Sequence, residues 1–63
     1  MEILEDIKTY IADMVMYCDV ISNKESHTKS KIAFTHLMGN IAERIKVKCD
    51  KLEKELENAE QDK

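Results

Sequence analysis

The sequence has no proline, no tryptophan and a single glycine, so it lacks the residues that usually interrupt helices and shape β turns. Strand-forming residues are not concentrated in any segment. A chain rich in Ala, Glu, Lys and Leu-type residues with few breakers is typical of long helices. We therefore expect an all-α protein, and 63 residues allow one domain at most.

Long hydrophobic runs are also missing. The most apolar stretch, residues 11–21, carries Asp13 and Asp19 and falls short of the ~20 apolar residues that a membrane span needs. The chain starts Met-Glu-Ile-Leu-Glu-Asp, whereas a signal peptide has a basic start followed by an uninterrupted apolar run. We expect no membrane association and a cytoplasmic location.

Cysteine is scarce, with only Cys18 and Cys49. In a helical hairpin these residues would lie on the order of 25–30 Å apart, whereas a disulfide needs Cα atoms within ~7 Å. We expect two free, buried thiols that pack as small apolar residues. An intermolecular bridge or a metal role is the alternative.

Motifs of catalysis are absent from the sequence. It contains no Gly-rich phosphate loop, no nucleophile elbow and no His-Glu-x-x-His. His27 and His36 are too few for a zinc cluster, which usually takes four ligands in close-spaced pairs. We expect a protein that is not an enzyme and that has no cofactor and no metal.

What the sequence does contain is helical periodicity. Residues 2–22 place acidic side chains in the first turn, where the helix dipole favours them. One side of this first helix is apolar, formed by Ile3, Leu4, Ile7, Tyr10, Ile11, Met14, Val15, Tyr17, Cys18 and Ile21. Met16 and Val20 lie off this side, either as ordinary exposed residues or as a second contact surface.

A polar stretch, residues 22–31, separates the two apolar patterns and predicts a turn within residues 22–27. Ser22 and Glu25 fit a capping box that would start the second helix near Asn23. Ser26 and Thr28 are rival N-caps.

The second helix is expected at about residues 28–59, with a frayed tail. Its apolar side contains two successive steps of four, 41–45–49, which we interpret as a drift from a heptad toward an eleven-residue repeat. This side is formed by Phe34, Leu37, Met38, Ile41, Ala42, Ile45, Cys49, Leu52, Leu56 and Ala59. Gly39 lies away from it, either as a tolerated defect or, with Ile32 and Val47, as a place where another backbone approaches.

The unequal lengths of the helices predict self-association. An antiparallel hairpin leaves roughly two turns of the second helix uncovered, and both apolar sides are wider than one neighbour requires. We expect a homodimer that forms a four-helix bundle. The predicted oligomer interface consists of Ile7, Ile11, Met14, Cys18, Met38, Ile41, Ile45, Leu52 and Leu56.

The charges also favour a hairpin. Residues 1–23 carry a net charge of −4, residues 24–54 one of +4 and residues 55–63 one of −3. An acidic first helix beside a basic second helix is favourable, although exposed ion pairs are individually weak.

These features predict a small interaction module that binds a protein partner as a regulator, inhibitor or chaperone. The candidate contacts are Met16 and Val20, or alternatively Leu52 and Leu56 at the uncovered end of the second helix. Tyr10 and Tyr17 are further candidates, which could instead be boundary packing. One alternative is a nucleic-acid binder using Lys29, Lys31, Arg44 and Lys48, disfavoured by the acidic net charge. Another is a purely structural oligomer.

Overall fold

The computed structural model describes residues 1–61 and contains two α-helices. Helix α1 spans Glu2–Ser22 and helix α2 spans Thr28–Gln61, and the two pack against each other as a hairpin about 55 Å long and 15 × 13 Å across. The all-helical hairpin is therefore confirmed, and no strand occurs within the described range. Helix α2 continues two residues beyond its predicted end, and residues 62 and 63 of the predicted tail lie outside the described residues.

The turn is organised by Asn23. Its backbone N–H still donates to the carbonyls of Asp19 and Val20 at 3.1 and 3.3 Å, but its extended backbone, with φ of −72° and ψ of 123°, ends α1. Its side-chain Oδ1 accepts the backbone N–H of Glu25 at 2.9 Å, a local bond that favours a turn over continued helix. The predicted capping box is wrong, because Ser22 is the last residue of α1 and α2 begins only at Thr28.

The helices meet along a line of contacting residues that we call the hairpin seam. On each helix, successive seam residues are separated alternately by three and four positions. All of the seam residues are half-buried except Ile41, which is 5% exposed and is the one buried residue among those described. This spacing is that of a heptad repeat. The seam consists of Ile3, Ile7, Tyr10, Met14, Tyr17 and Ile21 of α1 and Phe34, Met38, Ile41, Ile45, Lys48 and Leu52 of α2.

The expected drift toward an eleven-residue repeat is wrong for this seam. After Ile45 the next seam residue is Lys48, which is half-buried, whereas Cys49 is exposed. Lysine can occupy the position because its methylene stem packs along the helices while its ammonium group reaches a partner. That partner is Asp6, whose Oδ2 lies 3.0 Å from Nζ of Lys48.

Two side-chain pairs set the antiparallel register. Tyr17 and Phe34 pack near the turn, and Asp6 pairs with Lys48 toward the open end. Counting back from Asp6 places Glu2 at about the level of Leu52. Residues 53–61 of α2 therefore extend past α1 by roughly 13 Å, and we call this segment the overhang.

Candidate protein-interaction face

Helix α1 carries a second apolar stripe that overlaps its seam. Leu4, Ile11 and Cys18 each follow a seam residue directly, and all three are exposed. Together with three seam residues they again give heptad spacing. The full stripe is Leu4, Ile7, Ile11, Met14, Cys18 and Ile21.

Helix α2 repeats this arrangement. Ala42 and Cys49 directly follow the seam residues Ile41 and Lys48, and both are exposed. The stripe alternates steps of four and three without interruption and enters the overhang. It consists of Met38, Ala42, Ile45, Cys49, Leu52, Leu56 and Ala59.

The two stripes lie on the same side of the hairpin. Each is displaced from the seam by one residue toward the C-terminus, which is the same rotational sense on both helices. When two right-handed helices run antiparallel, equal rotations away from their contact line bring side chains to the same side of the pair. We call the combined surface of the two stripes the open face.

The open face is substantially exposed in this chain. Leu4, Ile11 and Leu56 expose 44%, 49% and 54% of their surface. Both cysteines also lie on it, so the thiols are free as predicted but exposed rather than buried. The expectation of burial is wrong because each cysteine sits one residue past a seam position. A shallow depression at the overhang is lined by Cys49, Leu52, Glu53, Leu56, Glu57 and Glu60.

The opposite side of the hairpin mixes charged residues with exposed apolar ones, including Leu37 and Val47. It holds the Asp6–Lys48 pair and a shallow depression lined by Tyr10, Asn40, Glu43, Arg44, Val47 and Lys48. The hydrogen bond and the charge of Asp6 raise the pKa of Lys48 above its ordinary value of 10.5. This side therefore contributes electrostatics to the hairpin, whereas the open face offers apolar surface.

The predicted interface residues divide between the two surfaces. Ile41 lies in the seam alone, so its burial is already complete within the chain. The other predicted interface residues all lie on the open face, namely Ile7, Ile11, Met14, Cys18, Met38, Ile45, Leu52 and Leu56. Leu4, Ile21, Ala42, Cys49 and Ala59 complete that face but were not predicted as interface residues. The one-residue offset of Leu4, Ala42 and Cys49 from the seam is a signal that the sequence contains.

The candidate partner contacts are dispersed. Tyr10 and Tyr17 are half-buried in the seam, and Tyr17 packs on Phe34. Val20 is also half-buried, whereas Met16 is 53% exposed on the side away from the open face. Among these four, Met16 is the residue that presents most of its side chain to solvent.

The candidate nucleic-acid contacts do not form one surface. Lys48 is engaged with Asp6, and Lys31 is half-buried. Lys31 and Arg44 are thirteen residues apart, which places them about 140° from each other around α2. Lys29 and Arg44 are exposed.

No helix in residues 1–61 is long and apolar enough to cross a membrane. Within the same residues, no group of three or more His, Cys, Asp or Glu side chains could hold a metal ion. Comparison of the chain with protein-family models, with curated proteins and with solved structures found no match in any of the three.

Proposed function

We propose that this chain is a small helical protein–protein interaction module that acts as a homodimer, with two hairpins packed through their open faces into a four-helix bundle. The observation that carries the proposal is the burial of a single residue, Ile41, among those described. A side chain exposed on an apolar heptad stripe gains its packing from another helix.

The accessible surface supports association. The chain exposes 5251 Å², whereas the size scaling of folded monomers gives about 4,200 Å² for a protein of 7.3 kDa. The excess of about 1,000 Å² is close to the ~800 Å² that each partner buries in a standard interface. One interface of ordinary size would bring the exposed area per chain to that of a typical globular protein.

A protein partner would then bind the outer surface of the dimer. With the open face occupied, large exposed apolar side chains remain on the far sides of the helices, including Met16 on α1 and Val47 on α2. Such residues can anchor a helix or a groove of another protein. We propose this outer surface as the recognition site through which the module regulates, inhibits or escorts its partner.

Light scattering across a dilution series tests the homodimer. We expect a mass about twice the 7.3 kDa of one chain, decreasing toward that value on dilution because association follows mass action. A folded hairpin that keeps the mass of one chain at every concentration would disprove the homodimer.

The partner surface needs its own test, since a purely structural oligomer would also dimerise. Met16→Asp should leave the dimer mass unchanged and weaken binding of any protein that the wild-type dimer binds. Equal binding by the variant and the wild type would exclude Met16 from the recognition site. Neutralising Lys29 and Arg44 serves as the comparison, because a nucleic-acid binder would respond to that change instead.

A further inference from the structure

We infer that the open face is covered by a second copy of this chain running antiparallel, with the overhang of each copy seated over the groove between α1 and α2 of the other. This inference rests on the proposed homodimer and adds the direction and register of its helices.

The stripe on α2 shows why the second copy fits. Leu56 and Ala59 lie in the overhang, beyond the level of the first residue of α1, so α1 of the same chain cannot cover them. A helix with the same heptad spacing is the complement such a stripe needs, and α2 of another copy has that spacing. The antiparallel register we infer pairs Ala42 with Ala59, Ile45 with Leu56 and Cys49 with Leu52 across the two copies.

Charge decides the direction of the second copy. Residues 53–60 carry four glutamates and one lysine, a net charge of −3. In the inferred register they lie at the level of residues 41–48, a segment of net charge +2 in which Lys46 flanks the open face, whereas Arg44 and Lys48 lie on the opposite side of the hairpin. A parallel dimer would instead place the two acidic overhangs side by side, and like charges at that distance repel.

One pair of flanking residues agrees with this direction. Lys46 and Glu53 each directly follow a stripe residue, so they line the same edge of the stripe, and both are exposed. Residues at this edge face each other across an antiparallel pair of helices. Two-fold symmetry would therefore form the Lys46–Glu53 pair twice, which helps to select the partner orientation.

The groove that receives the overhang is formed by both helices. Counting from the Asp6–Lys48 pair puts Leu4, Ile7 and Ile11 beside residues 43–50 of α2. In the inferred register, Leu52, Leu56 and Ala59 of the other copy lie at that level. The overhang would thus cover exposed side chains of both helices at once.

Cysteine cross-linking tests this register. Cys18 and Cys49 are first replaced by alanine, and Ala42→Cys and Ala59→Cys are introduced in separate chains. Both positions are exposed in the hairpin, so neither change disturbs the seam. The two variants are oxidised alone and after being unfolded and refolded together, and the linked peptides are identified by mass spectrometry.

The antiparallel register predicts a disulfide between the two variants only in the mixture, because a disulfide needs Cα atoms within ~7 Å. Cross-linking of each variant with itself would show a parallel dimer and overturn the inference. Absence of any cross-link in a sample that light scattering shows to be dimeric would overturn the register while leaving the homodimer standing. A monomeric mass in these samples and in the wild type would instead disprove the homodimer itself.

Discussion

Tyr17 and Phe34 pack against each other beside the turn, with ring centroids 5.2 Å apart and ring planes tilted by 35°. This contact joins the last turns of α1 to the second turn of α2, and the Asp6–Lys48 pair joins the helices near their other end. Between the two pairs the seam is mainly aliphatic. The hairpin is therefore held by an aromatic contact at one end, an ion pair at the other and little buried interior between them.

Phe34→Ala should destabilise the hairpin, because it removes the ring that packs on Tyr17. The residue is half-buried rather than enclosed, so we expect a loss of about 2 kcal/mol in the free energy of unfolding, at the low end for removal of a large apolar side chain. Urea unfolding followed by circular dichroism measures it. His36→Ala on the exposed side is the control, and an equally small effect of both changes would contradict this role for Phe34.

Asp6→Asn should lower the unfolding temperature near neutral pH. The pKa of Lys48 is raised above 10.5 by Asp6 in the folded protein, so the pair stabilises the fold below that pH and its contribution is lost as the pH rises through the raised value. Above the raised pKa of Lys48, the wild type and the variant should therefore unfold at the same temperature when they are melted in parallel.

Glu5→Gln is the matched control for that change. Glu5 pairs with Lys8 at 3.7 Å, but both side chains are more than 70% exposed, and such pairs contribute little. If Glu5→Gln lowers the unfolding temperature as much as Asp6→Asn does, the Asp6–Lys48 pair is not the cause. The same holds if the effect of Asp6→Asn on the unfolding temperature persists at high pH.

Leu56→Glu should dissociate the proposed dimer. It places a charge on the open face within the overhang, where burial of a charge without a partner is costly. Val47→Glu is the matched control, since Val47 and Leu56 are both 54% exposed but Val47 lies away from the open face. Light scattering should show one chain for the first variant and two for the second, and an equal response of both would mean that the open face is not the interface.

Gly39→Ala should stabilise the protein by about 1 kcal/mol, the difference in helix propensity between glycine and alanine. A Cβ built at Gly39 meets nothing within 4 Å in the hairpin. The unfolding midpoint should therefore rise in denaturant. A loss of stability or of dimer mass would instead indicate that another chain approaches the backbone at Gly39, as its position away from the apolar side first suggested.

The helical hairpin could be predicted from the sequence because both helices have a strong 3.6-residue periodicity and the polar stretch between them has none. The seam could not be separated from the open face in this way. On each helix the seam and the open-face stripe share every second residue. In the sequence they therefore appear as one broad apolar side until the position of the neighbouring helix is known. Lys48 adds to the difficulty, because a search by hydrophobicity alone chooses Cys49 as the seam residue after Ile45, whereas the seam residue is Lys48.

Helix α2 begins at the expected residue 28, but the sequence did not choose between the capping residues. Ser22, Ser26 and Thr28 are all acceptable caps by residue type. The choice depends on Asn23, whose side chain and backbone close the turn locally and delay the second helix to Thr28. The residue directly before α2 is His27, whose carbonyl accepts the backbone N–H of Lys31 at 3.0 Å.

Among the described residues Ile41 alone forms a buried interior, and this makes the protein sensitive to its own concentration. If the second copy supplies most of the missing interior, folding and assembly become a single bimolecular reaction, and the folded fraction depends on the amount of chain present. Below the association threshold the free chain would expose its apolar stripes to proteases and chaperones. The cellular level of the protein would then act as the switch between an active dimer and a rapidly degraded monomer.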